Sequence, residues 1–503
     1  MRLGEGKFED AALVFSAIAC IALFMLFFPP FYASIDEQGY LRNAVLLSHG
    51  KIGEPAPEYA SRSTVFNGTE YISDRVLGRS VSLIPFLPFG ISGVMLSGLI
   101  IHLINFFILI KIFEKLKVSK IFSLIYLFLP TFIWESRTLY PELLTLTFFL
   151  AAFCFYISER RRDWAVSGFL AGLAVLVRYD AVYGVAAMAL AALISSRKKF
   201  LWFFLGGIPC AAFLFAFNSA VYGGAFTSGN GSVLRLFLRF SADRLPNFIA
   251  YLGILLLYLP LMLASPFIEK KSGLRKEFAL FAAAYLVFNG MFTDLFNFDF
   301  SLSSLFTARL RYLVPLIGVL IIPYACMLDS WTGVLSNKIG LLRKNPAATP
   351  LALFVVMFLV AAYSSDVHQD YLSEKRSAAF GTIYANTEAG SLILGSSDDS
   401  MYFVRGFFPD RKYFSIDPKP DLAGNPQGID PVAEFRKAGK GYMLLIDYTN
   451  VSSDTSPRAE LVKGERKKAF DFYERNHGSF ELVAEDKKIS LALYRYNGGP
   501  LQE

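Results

Sequence analysis

The sequence predicts a polytopic α-helical membrane protein of about eleven transmembrane helices, followed by an extracytoplasmic α/β domain at the C-terminus. Three observations carry that prediction. Hydrophobic residues make up 54% of the chain, aromatic residues 16% and charged residues only 18%, with a mean hydropathy of +0.43, well beyond the usual composition of a water-soluble domain. Apolar runs long enough to cross a hydrocarbon core of about 30 Å, which takes roughly 20 helical residues, recur from Ala11 to Tyr363 and then stop. Residues 364-503 form a polar tail that holds 21 of the 42 acidic residues.

Candidate helices start near Ala11, Ile91, Ile121, Glu142, Trp164, Ala181, Phe200, Phe248, Glu277, Tyr312 and Pro350. The first run begins after Asp10 and ends in Phe27-Phe28-Pro29-Pro30 without a small-residue cleavage site, so it reads as a retained anchor. The stretch from Trp164 to Ile194 is long enough for one span, but Arg178-Tyr179-Asp180 lies in its middle. Two passes fit better, because placing an arginine and an aspartate at the bilayer centre costs several kcal/mol. A hairpin puts both at the water boundary and returns the flanking basic clusters to one side.

With that topology, the loops on the side of the N-terminus carry 19 Lys and Arg in 56 residues, against 12 in 102 for the opposite loops. The bias places the N-terminus in the cytoplasm and the tail outside, in the plasma membrane. The Asn67, Asn230 and Asn450 sequons all fall on the outer side of this topology. The net charge of +7 therefore has a topogenic origin, since clusters such as Arg160-Arg161-Arg162 and Arg197-Lys198-Lys199 sit between apolar runs. Nucleic acid is not an expected partner.

The tail predicts strands near Ser391-Gly395, Tyr413-Ile416, Tyr442-Asp447, Phe480-Val483 and Ile489-Tyr494, alternating early on with helices. Asp430 followed by Pro431 predicts a helix start. The sequence thus divides into a membrane part, 1-363, with a first outer loop at 32-80, and a soluble part, 364-503. Cys20, Cys154, Cys210 and Cys326 all lie in apolar runs and suggest packing rather than a disulfide framework.

Polar residues gather at the predicted outer boundary. The first outer loop opens with Ser34-Ile35-Asp36-Glu37-Gln38-Gly39-Tyr40. The turn before the fourth helix holds Glu135, Arg137 and Glu142, the next outer turn holds Arg178 and Asp180, and Arg309 and Arg311 precede the tenth helix. Carboxylates and arginines at one membrane face suit transfer from a lipid phosphate whose tail stays in the bilayer. A carboxylate removes the proton of an acceptor hydroxyl, a contribution of roughly 10² to 10⁴ in rate. Guanidinium groups hold the phosphate as its charge grows.

Asp36 and Glu37 also fit a plain helix cap, Arg137 with Glu142 a structural ion pair, and Arg178 a partner for Asp180. Two other classes remain in view. A secondary transporter needs ionisable residues at the midplane and paired broken helices, and no internal repeat is found. A receptor or assembly factor with an outer binding domain has no need of acids and arginines gathered at one boundary.

The segment IDEQGYLRNAVLLSHGKI resembles the acidic first-loop motif of the GT-C glycosyltransferases, in particular the protein O-mannosyltransferase and aminoarabinose-transferase branch. YISDRVLGRSVSLIPFLPFG resembles the second part of that loop, SRTLYPELLTLTFFL the Arg-and-Glu turn after the third helix, GFLAGLAVLVRYDAV a helix ending in a basic residue, and ARLRYLVPLIG the start of a late helix. The resemblance implies a GT-C-like fold and inverting sugar transfer from a polyprenyl-phosphate donor, dolichyl or undecaprenyl, to a protein, glycan or lipid acceptor. It implies Asp36 as general base with Glu37 beside it. It further implies that Arg137 and Glu142 shape the site, with Asp180 nearby, and that Arg178, Arg309 or Arg311 holds the carrier phosphate. No clear second-loop DxD is present, and His49, His102, His368 and His477 are scattered, so the sequence gives no support for a divalent metal cofactor. Asp398-Asp399 reads as a helix start.

Overall fold

The computed structural model describes residues 3–55, 63–229, 231–232, 245, 249, 252–253, 255–256, 259–269, 271–292, 308–338, 348–416, 430–446, 457–487 and 490–501. Contacts divide the chain into two compact units, one of Met1–Phe28, Leu96–Leu214 and Leu234–Gln369, the other of Pro29–Met95, Phe215–Val233 and Asp370–Glu503. The segment 32-80 thus groups with the tail.

The first unit is helical. Four stretches among the described residues are long and apolar enough to cross a membrane, Phe8–Leu26, Leu77–Leu116, Arg197–Tyr222 and Leu310–Thr332, while Glu142–Tyr156 and Tyr179–Ser195 are apolar but shorter. The expected span from Ile121 is in fact two helices, Ser123–Phe128 and Pro130–Ser136. Pro130 lacks the N–H needed to continue the first helix and drives Leu129 to ψ 124. The expected hairpin does form: Arg161–Val177 ends at Arg178 in extended conformation, and Val182–Ser195 follows after one 3₁₀ turn. The expected helix near Phe248 falls largely outside the described residues.

Helices in this unit approach closely where they carry glycine. A Cβ on Gly168 would lie 1.8 Å from the Phe203 carbonyl oxygen, and one on Gly206 would lie 1.9 Å from that of Ala165, so Arg161–Val177 and Arg197–Tyr222 meet backbone to backbone. Buried polar groups tie other helices together. His102 bonds the Tyr126 hydroxyl and the Leu127 carbonyl, each at 3.0 Å, and Asn105 donates to the Leu143 carbonyl at 3.0 Å. The cysteines are free.

In the second unit, the helix Ile35–Ser48 lies against the helix Leu77–Leu83 and the 3₁₀ turn Ser397–Tyr402. A small antiparallel sheet follows the first of these helices: β1 (Gly53–Glu54), β2 (Thr64–Phe66) and β3 (Tyr71–Ser73), with β3 central. A short hairpin pairs β4 (Thr227–Ser228) with β5 (Gly231–Ser232). The tail forms a five-stranded sheet of β6 (Leu392–Gly395), β7 (Lys412–Ser415), β8 (Tyr442–Ile446), β9 (Phe480–Asp486) and β10 (Leu491–Tyr496), in the order β7-β6-β8-β10-β9. β6 runs parallel to both neighbours, and β10 runs antiparallel to both of its own.

The core of this sheet gathers Leu394, Phe414, Phe435, Met443, Phe472 and Phe480. All five predicted strands are present within two residues of their expected starts, and the predicted helix starts at Pro431. At Asp398-Asp399 the chain forms the 3₁₀ turn, where the Asp399 carboxylate accepts from the Ser396 hydroxyl at 2.8 Å; the Asp398 side chain lies outside the described residues.

Candidate functional site

Two clusters hold most of the predicted residues, one in each unit. In the second unit the chain enters Ile35–Ser48 with Ser34 extended at φ −146. Glu37, one turn in, reaches back so that its Oε1 accepts from the Ala33 N–H at 2.9 Å and the Ser34 hydroxyl at 3.3 Å. This resembles a capping box, in which a glutamate satisfies an N–H at the helix entrance. Glu37 is fully buried. These bonds match the helix-cap alternative for Glu37.

Asp36 points differently. Its Oδ1 accepts from Arg75 Nη2 at 2.6 Å, and Arg75 Nε lies 3.0 Å from Asp74 Oδ1. The side chains of Asp36 and Arg75 are 15% and 21% exposed, while Asp74 is buried at 3%. Arg75 follows β3, its N–H held by the Ser73 hydroxyl at 3.1 Å, and the Ser73 carbonyl accepts from the Tyr222 hydroxyl at 2.9 Å.

Two glycines make this arrangement possible. A Cβ on Gly39 would lie 2.8 Å from Ser63 Cβ and 3.3 Å from Arg75 Cγ, and one on Gly229 would lie 2.3 Å from Asp74 Cα. Asp74 and Arg75 were not singled out by sequence reasoning, although both stand in the second loop segment quoted above. The adjacent acid and base after a strand was the available signal. Nearby, burial pushes the Tyr32 phenol well above its ordinary range, and its hydroxyl donates to the Met401 carbonyl.

In the first unit, Glu142 opens its helix directly after Pro141 and is 1% exposed. Its Oε1 accepts a short hydrogen bond from Arg178 Nη1 and lies 4.0 Å from Arg311 Nε. Arg178 has an extended backbone, and its Nε and Nη2 grip Asp180 Oδ1 and Oδ2 at 2.7 and 2.6 Å, a two-pronged match of fork to carboxylate. Arg311 lies 4.3 Å above the Tyr140 ring and donates to the Tyr312 hydroxyl at 2.7 Å. Glu142, Arg178, Asp180 and Arg311 thus form one network of two acids and two guanidiniums. The side chain of Arg309 lies outside the described residues.

Arg137 is not part of this network. The alternative of an Arg137 and Glu142 ion pair is not seen: Glu142 Oε1 bonds Arg178 instead. Arg137 donates instead to the carbonyls of Ser365 and Phe27 at 2.5 and 2.6 Å and to Gln369 Oε1 at 2.6 Å. Among the described residues, no group of three or more His, Cys, Asp or Glu is placed to hold a metal ion.

No family model matches the sequence, and no curated protein matches it. Solved structures do. The chain is similar to the crystal structure of ArnT from Cupriavidus metallidurans bound to undecaprenyl phosphate, with 12% identity, 97% of this chain and 99% of that one covered, and a TM-score of 0.60. It is also similar to the arabinofuranosyltransferase AftD from Mycobacteria, with 14% identity, 97% of this chain and 40% of that one, and a TM-score of 0.49. The oligosaccharyltransferase AglB from Archaeoglobus fulgidus, in complex with an inhibitory peptide and a dolichol-phosphate, aligns at 11% identity over 97% of this chain and 74% of that one, with a TM-score of 0.49. The chain thus shares the helical fold of that ArnT structure and carries a C-terminal five-stranded sheet.

Proposed function

We propose that this protein is a membrane glycosyltransferase that moves a sugar from a polyprenyl-phosphate carrier to an acceptor at the outer face, with inversion at the anomeric carbon. The observation that carries this reading is Asp36: a partly exposed carboxylate, held by Arg75 at 2.6 Å, at the start of the acidic first-loop motif. A solved structure that aligns along its whole length with undecaprenyl phosphate bound supports the choice of carrier.

In the reaction, the acceptor hydroxyl attacks the anomeric carbon while Asp36 takes its proton. The bond from that carbon to the phosphate oxygen breaks, and its electron pair stays on the phosphate. Arg178 and Arg311, with Arg309, bind the phosphate as its negative charge grows, a task for which the planar fork of arginine is suited. Glu142 and Asp180 hold those guanidiniums in place. Arg75 fixes the orientation of Asp36 so that the proton is met at hydrogen-bond distance.

The test is incubation of the purified protein with a panel of polyprenyl-phosphate sugars, reading polyprenyl phosphate by mass spectrometry and the product's anomeric configuration by NMR. Acceptor-dependent release with inversion is expected. Retention, or no release from any donor, removes the reading.

A further inference from the structure

Arg137 lies at the foot of the helix Ala348–Tyr371, among polar atoms that the fold leaves without partners. Its guanidinium is buried, and its three acceptors, the Ser365 and Phe27 carbonyls and Gln369 Oε1, are all neutral. Among the described residues its Nε has no hydrogen-bond partner, nor do the Ser364 and Ser365 hydroxyls or either ring nitrogen of His368.

Ser364 and His368 are four residues apart on one helix face, with Ser365 three residues from His368. The His368 ring stacks on Trp134 with centroids 3.6 Å apart and planes at 13°. All four polar side chains are between 0 and 2% exposed.

Buried polar groups are almost always satisfied, and a buried charge is costly unless an opposite charge meets it. Four unmatched polar atoms beside a guanidinium whose own Nε is also unmatched therefore call for an occupant of particular chemistry. Such an occupant brings negative charge, which excludes a cation, and several acceptor lone pairs. Water supplies the lone pairs but not the charge. The geometry points to a buried oxyanion site, formed by Arg137, Ser364, Ser365 and His368, that takes a phosphate group, either as inorganic phosphate or as the phosphate end of a lipid. Arg137 shares no hydrogen-bond partner with the Glu142, Arg178, Asp180 and Arg311 network, so the site is additional to the one proposed for the donor.

The test is equilibrium binding of radiolabelled inorganic phosphate, and separately of undecaprenyl phosphate, to the full chain purified in detergent. The variants are Ser364→Ala with Ser365→Ala, His368→Phe, and Asp36→Asn as a control for the proposed transfer. The double serine variant removes two hydroxyls without disturbing the Arg137 clamp, and is expected to weaken binding by tenfold or more. His368→Phe keeps the stack on Trp134 and is expected to weaken it similarly. Asp36→Asn should bind as wild type does, so loss of transfer and loss of this site are separable.

Weakening with inorganic phosphate identifies a free anion as the occupant, and weakening seen only with undecaprenyl phosphate identifies a lipid head group. If neither probe binds, or if the serine and His368 variants bind as wild type, the site is not an anion site.

Discussion

Arg75 donates a 2.6 Å hydrogen bond to Asp36 across 39 residues of sequence, joining the end of β3 to the first turn of the helix Ile35–Ser48. The bond ties the orientation of the proposed base to a small sheet.

Removing Arg75 should damage transfer more than folding. Charge-assisted hydrogen bonds contribute about 1.5 to 3 kcal/mol, so Arg75→Ala is expected to lower kcat by roughly ten- to a hundredfold. Arg75→Lys should fall between that variant and wild type, because it keeps the charge without the fork. Steady-state transfer kinetics check this, and unchanged kcat in Arg75→Ala would detach Arg75 from the mechanism.

Gly39 leaves room for this bond. A methyl at Gly39 meets Ser63 Cβ at 2.8 Å and Arg75 Cγ at 3.3 Å, so Gly39→Ala is expected to lower both the thermal midpoint and transfer, with a stability loss of about 1 kcal/mol or more. Adding Ser63→Gly, which withdraws the nearer obstacle, should restore part of each. The absence of any rescue would count against this close approach.

Glu37 should behave as a cap. Glu37→Ala is expected to cost about 1 to 2 kcal/mol, lowering the thermal midpoint, while Glu37→Gln keeps an oxygen for the Ala33 N–H and retains most of the transfer. Should folded Glu37→Gln be as inactive as a variant lacking the Asp36 carboxylate, the division of labour between these two acids is mistaken.

For the arginines, a split between KM and kcat is informative. Arg178→Lys keeps the charge but abandons the two-pronged grip on Asp180, and should raise the KM for the donor by about tenfold or more. Arg311→Ala and Arg309→Ala are expected to differ, the phosphate ligand raising donor KM and the membrane anchor leaving it unchanged. Wild-type donor affinity in all three variants would void the phosphate assignment.

How much of this could be read from the sequence depended on whether the signal was local. The five strands of the tail were legible because each is a short apolar run bounded by turn residues, and the break at Arg178 because a charge pair interrupts an apolar run. The division at Pro130 was not anticipated, although a proline in an apolar run gives the means.

In the site, Asp36 stood out through its motif and Arg178 with Asp180 through adjacency. Pairings between distant segments stayed hidden: Arg75 with Asp36, and Arg178 with Glu142 across 36 residues. Arg137 looked like the natural partner of Glu142, five positions away. Nothing local reveals that its guanidinium instead reaches the Ser365 carbonyl 228 residues on.

The most direct measurement is single-turnover transfer from whichever polyprenyl-phosphate sugar the wild type uses, compared with Asp36→Asn at matched purity and thermal midpoint. The proposed role as general base predicts a fall in rate of at least a hundredfold, with donor binding retained. Transfer by Asp36→Asn at the wild-type rate would contradict it.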